Sequence, residues 1–175
     1  MRQKLTRTED GFTLVELLIV VAIIGILASV VTAQLIRAKA SANEASTISS
    51  LRAISNGQIS YMQTCGNNYF ATSLTSLGPP GPGESPFISQ DLTSGPVVTK
   101  SGYIVSLTAS AAAAAGLPDC QGAATASGFY ASAYPTSFDV SGSRSFAVNT
   151  QGAIWQIFAA AAPTEPFGAP AEPIK

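Results

Sequence analysis

An apolar run of 20 residues, from Phe12 to Val31, constrains this chain more than any other feature of its sequence. Only Thr13, Glu16 and Ser29 within the run are polar. At a rise of about 1.5 Å per residue, a helix of this length matches the roughly 30 Å hydrocarbon core of a bilayer. The run therefore predicts one membrane-spanning helix. Basic residues precede it, and by the positive-inside rule they keep the N-terminus in the cytoplasm; these are Arg2, Lys4 and Arg7.

The same run has a second interpretation as a conventional secretory signal. Val31, Thr32 and Ala33 provide a small-residue cleavage site, and cleavage there would release a secreted binding protein or enzyme beginning at Gln34. The apolar region is, however, longer than the usual signal core of about 7 to 15 residues. Glu16 also fits poorly, because a carboxylate towards the bilayer centre costs about 2 to 3 kcal/mol. An intramembrane acid of this kind indicates a functional residue.

The composition argues against several classes of function. Histidine is absent and the carboxylates are scattered, so the usual nucleophile triads and most transition-metal sites have no residues to form them. The net charge is −1 with no basic block beyond the first residues, which disfavours nucleic acid as a partner. We expect no catalytic residue, no metal site and no cofactor.

Cys65 and Cys120 are the only cysteines, and they lack the CxxC spacing of a metal site. If the chain is exported, a single disulfide is the expected state, with two free or separately buried thiols as the alternative.

The stretch GFTLVELLIVVAIIGILAS, residues 11–29, resembles the class III signal of type IV pilins and of the pseudopilins of type II secretion. The resemblance lies in a short basic leader, Gly11, Phe12, and a glutamate four residues further on. It implies that a prepilin peptidase cuts between Gly11 and Phe12 and that the new N-terminus at Phe12 is methylated. It also implies that Glu16 pairs with the terminal amine of a neighbouring subunit when the helices bundle into a filament core.

The resemblance further implies that the chain occupies two locations in succession. The precursor would cross the inner membrane once, surrounded by lipid, and would meet the prepilin peptidase/methyltransferase and an inner-membrane assembly platform. After assembly with copies of itself and other pilins, it would lie in a filament at the cell surface or in the periplasm. A structural subunit of a type IV pilus is the leading interpretation, and a type II secretion pseudopilin is the alternative within the family.

Apolar residues recur at three- and four-residue steps from Leu35 to Leu51, and nothing is expected to stop the helix before the CGNN sequence at 65–68. Ala33 stands where many members of the family have proline, which favours a continuous helix. The expected organisation is a leader, a transmembrane or filament-core helix, its amphipathic continuation, a globular head and an Ala/Pro-rich tail, at residues 1–11, 12–33, 34–64, 65–158 and 159–175.

Alternating residues after a Pro/Gly-rich loop predict an antiparallel sheet of about four strands, which gives an α+β, pilin-like fold. One expected strand begins near Tyr103 and a second near Phe129. Phe138 and Val140 are expected to pair with Phe146 and Val148, and the last strand is expected at residues 153–158. Six aromatic residues of this region are expected to pack against the helix rather than to form a ligand platform: Tyr103, Phe129, Tyr130, Tyr134, Phe146 and Trp155. The tail is expected to be extended and poorly ordered.

Overall fold

The computed structural model describes residues 11–174, and of residues 30–33 it describes the backbone alone. The chain divides into two compact units between Arg37 and Ala38. Helix α1 (Leu14–Thr64) has no break at Ala33, as expected for a helix without proline there. The predicted leader up to Asp10 lies outside the described residues.

In the second unit the helix lies against a mainly antiparallel β structure, so the α+β prediction is confirmed. The strands are β1 (Phe70–Ala71), β2 (Val97–Lys100), β3 (Tyr103–Ala109), β4 (Thr125–Ala126), β5 (Phe129–Pro135), β6 (Ser145–Asn149), β7 (Ile154–Ile157) and β8 (Glu172–Pro173). Within residues 11–174, six of them pair in the order β2-β3-β5-β6-β7-β8, and the other two form a separate pair, β1-β4. A 3-10 turn (Leu74–Leu77) and a short helix α2 (Gln90–Thr93) precede β2.

The predicted meander corresponds to β3, β5, β6 and β7, and the structure adds one strand at each edge. The expected pairing of Phe138 and Val140 is wrong. Ala133 pairs with Phe146 and Ala131 with Val148, while residues 138–141 form the turn between β5 and β6. Asp139 in this turn has a positive φ of 63°, which a strand does not allow.

One face of the sheet and one face of α1 enclose the core. Leu51, Ile54 and Tyr61 of the helix are fully buried, and the strands contribute alternate residues such as Tyr103 and Phe146. Gln58 is buried among them, and its side-chain amide both accepts from the N–H and donates to the carbonyl of Ala71. The amide therefore pairs with β1 as a neighbouring strand would, which leaves neither polar group unsatisfied.

The six aromatic residues do not share one face of the sheet. Tyr103, Phe129 and Phe146 are in the core, as expected. By strand alternation, Tyr130, Tyr134 and Trp155 lie on the outer face, and each is partly exposed. The prediction of core packing against the helix is therefore wrong for these three.

The tail crosses the outer face, contrary to the expectation that it is poorly ordered. The Ser145 hydroxyl donates to the carbonyl of Ala159 at 2.6 Å, and the Tyr130 hydroxyl donates to that of Pro163 at 2.5 Å. Phe167 stacks on Trp155 with ring centroids 5.4 Å apart, and the tail ends in β8. The Ala/Pro composition conceals this arrangement because most of these bonds use backbone carbonyls, which every residue has.

Candidate functional site

Helix α1 begins with a reciprocal pair of hydrogen bonds between Thr13 and Glu16. The backbone N–H and the hydroxyl of Thr13 donate to Oε2 of Glu16 at 3.0 and 2.7 Å, and the N–H of Glu16 donates to the Thr13 hydroxyl oxygen at 3.2 Å. This arrangement is a capping box, in which two backbone donors that a helix start leaves unpaired are both satisfied. The T-x-x-E spacing is visible in the sequence and is by itself a signal for this cap, although we did not predict it.

The capping box uses only one oxygen of Glu16. Both bonds from Thr13 end on Oε2, and Oε1 has no hydrogen bond within the described residues. The side chain is exposed within its unit. Glu16 therefore starts the helix and also retains a carboxylate oxygen that an external donor can reach.

The predicted cleavage position lies just outside the helix. Gly11, Phe12 and Thr13 precede Leu14, where the helix begins, and all three are exposed. A side chain added at Gly11 would meet no atom within 4 Å, and Phe12 is 77% exposed. The Gly11–Phe12 peptide bond is thus accessible, as a protease substrate must be.

The surface of α1 that follows Glu16 is apolar. Its large side chains are about half or more exposed within the described chain: Leu17, Leu18, Ile19, Val20, Val21, Ile23, Ile24, Ile26 and Leu27. The helix is long and apolar enough to cross a membrane, and its apolar part is not buried within the described chain. A surface of this kind requires lipid or other apolar helices around it.

A family model described as the prokaryotic N-terminal methylation motif matches residues 6–32. The chain carries the class III signal of type IV pilins. The match includes Gly11, Phe12 and Glu16, and thus both the accessible peptide bond and the capping box. No curated protein and no solved structure matches the chain.

The motif and the apolar helix together support a type IV pilin-like or pseudopilin precursor, and they fit insertion into the inner membrane before assembly. The motif indicates a structural subunit rather than an enzyme, and it implies processing by a prepilin peptidase and assembly with other pilins. Among residues 11–174, no three His, Cys, Asp or Glu side chains come together as a metal site would require.

A disulfide joins Cys65, just after α1, to Cys120 in the loop between β3 and β4. The same loop is bound to the helix by the Tyr61 hydroxyl, which donates to Oδ2 of Asp119 at 2.7 Å. Burial raises the pKa of Tyr61, and the hydrogen bond and charge of Asp119 raise it further, so the phenol stays protonated and remains a donor. Sequence reasoning selected the cysteines but not this bond beside them.

A second polar contact joins α1 to the sheet region. Asn43 and Glu44 are polar, and polar residues of an amphipathic helix usually face solvent. Instead, Asn43 donates to the carbonyl of Ser141, and Glu44 is 5% exposed and accepts bonds from Ser143 and Arg144. No sequence spacing predicts this contact, because its partners lie about 100 residues apart.

Proposed function

We propose that this chain is a structural subunit of a type IV pilus or pilus-like filament. It is made as a membrane-inserted prepilin, cut between Gly11 and Phe12, methylated at the amine of Phe12, and assembled through its apolar helix. The observation that carries this proposal is the position of the methylation motif on an exposed apolar helix whose start is capped by Thr13 and Glu16.

The free oxygen of Glu16 gives the assembly step a physical basis. Cleavage creates an ammonium group at Phe12, four residues from Glu16 along the chain. In a core of packed helices, where the dielectric constant is low, an ammonium and a carboxylate attract strongly, whereas either one alone would be a buried unpaired charge. Because Thr13 occupies Oε2, Oε1 is the oxygen that accepts from the amine of a neighbouring subunit.

Removal of the leader therefore controls when the subunit can assemble. Before cleavage, Phe12 has an amide and no charge to offer, and Arg2, Lys4 and Arg7 hold the leader on the cytoplasmic side. After cleavage, the apolar helix leaves lipid for a bundle of similar helices, and van der Waals packing supplies the cohesion. The membrane anchor then becomes the filament core, and the second unit is carried to the cell surface or the periplasm.

Intact mass and N-terminal sequencing of filaments sheared from cells test this function. We expect a chain of 164 residues, left after 11 are removed from 175, that begins at Phe12 and is one methyl group heavier than its sequence. A conventional signal would instead leave 142 residues beginning at Gln34, because 33 would be removed. A terminus at Gln34 contradicts the proposal, and so does absence of the chain from the sheared material.

A further inference from the structure

A cavity of about 390 Å³ opens where the tail crosses the outer face of the sheet. Its volume falls at the lower end of the range for ligand pockets, about 300 to 1,000 Å³. Trp155 and Phe167 supply stacked aromatic rings to its wall, and Asn149, Gln151 and Glu165 supply polar groups. Rings combined with a few polar groups are the usual composition of a small-molecule site.

Glu165 is the charged group of this cavity. Its Oε2 accepts from the Ser110 hydroxyl at 2.7 Å and from the Ala111 N–H at 3.0 Å, and its Oε1 accepts from the Asn149 side-chain amide at 2.8 Å. Burial raises the pKa of Glu165, but these hydrogen bonds outweigh it and hold the pKa below its usual value. The carboxylate is therefore ionised at neutral pH.

The charge of Glu165 has no cationic partner. No lysine or arginine lines the cavity, and the ion pairs within residues 11–174 involve other carboxylates. A carboxylate can accept about four hydrogen bonds, and three are used, so one acceptor position is left. Glu165 also lines a neighbouring groove of about 280 Å³ beside Tyr130, so it is accessible from two sides.

Gln151 supplies a second hydrogen-bonding group to the cavity. Its side chain lines the cavity, is exposed and makes no hydrogen bond within the described residues. A glutamine amide carries two N–H donors and an oxygen acceptor. A ligand hydroxyl group can donate to Glu165 and accept from Gln151, whereas an ammonium group can only donate. The pair therefore favours a ligand that carries hydroxyl groups.

We propose that this cavity binds the pyranose ring of a neutral sugar. The apolar C–H face of the ring lies against Phe167 or Trp155, and adjacent hydroxyl groups bond to Glu165 and Gln151. Acidic sugars are excluded because their carboxylate would be desolvated beside that of Glu165, with no cation to compensate either charge. This binding does not depend on filament assembly.

The single tryptophan of the chain makes the proposal directly measurable. The full chain, in a detergent whose head group contains no sugar, is titrated with methyl glycosides of glucose, galactose, mannose and N-acetylglucosamine while Trp155 emission is recorded. We expect a saturable change with at least one of them and a much weaker change with methyl glucuronide. No saturable change with any neutral glycoside overturns the proposal, and so does a saturable response to tetramethylammonium alone.

Two variants assign the response to the cavity. Phe167→Leu keeps an apolar contact but loses the ring face, and we expect about fivefold weaker binding. Gln151→Ala removes an exposed side chain that makes no hydrogen bond within the described residues, so it leaves the tail in place; we expect about threefold weaker binding. Phe158→Leu is the matched control, because Phe158 is 70% exposed and does not line the cavity. Wild-type affinity in both cavity variants overturns the proposal.

Discussion

Arg144 donates two hydrogen bonds to Oε2 of the Glu44 carboxylate, from Nε at 2.8 Å and from Nη2 at 2.6 Å. The other oxygen, Oε1, accepts from the backbone N–H groups of Ser143 and Arg144 at 2.9 and 3.2 Å. Arg144 also donates to Gln156 of β7, and Gln156 donates to Glu172 of β8. One buried carboxylate on α1 is thus connected to the last strand of the sheet.

Replacing Glu44 with glutamine is expected to destabilise the second unit by about 3 kcal/mol, because Arg144 loses its charge partner and the amide cannot accept every bond. Chemical unfolding followed by circular dichroism, with the disulfide intact, measures the change. Glu84→Gln is the matched control, since Glu84 is exposed and should change stability by less than about 0.5 kcal/mol. Equal stability of the two variants would show that the pair contributes little.

The same pair predicts a loss of stability in acid. Burial raises the pKa of Glu44, but the bonds from Arg144 and Ser143 and the charge of Arg144 lower it more, so its pKa in the folded chain lies below the ordinary 4.5. A depressed pKa stabilises the fold above the unfolded-state pKa, and this contribution disappears as the pH falls through the folded-state pKa. Unfolding free energy should therefore decrease below about pH 4.5. The decrease should be smaller in Glu44→Gln. An identical pH profile in that variant and the wild type would show that other carboxylates cause the loss of stability.

The parts of this fold that the sequence predicts are those in which one local rule dominates. The apolar run, the unbroken helix and the alternation of β3 and β5 follow from period and composition alone. The position of the tail does not, because it depends on hydroxyl groups of Ser145 and Tyr130 meeting carbonyls far along the chain. The contact between Glu44 and Arg144 is not predicted for the same reason, because the fold rather than the sequence spacing brings the two residues together.

The candidate functional residues also fall into those that the sequence predicts and those that it does not. Gly11, Phe12 and Glu16 are predicted from the sequence because they belong to a motif of fixed spacing. The cavity at Trp155 and Phe167 is not, because its wall combines the tail, β7 and the loop after β3. Composition alone gives Trp155 no preference between the core and the outer face, and only the strand register places it.

The disulfide predicts a specific chemical result. Alkylation of the unreduced, denatured chain should modify no cysteine, and alkylation after reduction should modify both Cys65 and Cys120. Since the bridge joins residues 55 apart, its loss in a Cys65→Ser/Cys120→Ser chain should cost about 4 kcal/mol in the chain-entropy model. Detection of an alkylated cysteine before reduction would contradict the bridge.

Thr13 is expected to act on the helix start through its hydroxyl group. Thr13→Val keeps the shape of the side chain but removes the acceptor for the N–H of Glu16, at a cost of about 1 kcal/mol. In detergent micelles, hydrogen exchange of the Glu16 amide should accelerate about fivefold in this variant. Thr13→Ser retains the hydroxyl and should restore slow exchange. Equal exchange rates in the two variants would show that the cap is not formed in solution.

Glu16 has two roles in the proposed assembly, and two substitutions separate them. Glu16→Gln retains an oxygen that accepts from Thr13, because glutamine also forms a capping box, but it removes the negative charge. Glu16→Ala removes both the cap and the charge. If pairing with the amine of Phe12 drives assembly, both variants should insert into the membrane and be cut at Gly11, and both should give little filament.

Sheared filament yield, together with the intact mass of the membrane-bound chain, distinguishes the outcomes. Wild-type yield from Glu16→Gln with low yield from Glu16→Ala would assign the role to the helix cap. Normal yield from both would remove Glu16 from assembly altogether. Because the amine must find a compensating charge in the low-dielectric core, we expect the glutamine variant to fail even though its helix start is intact.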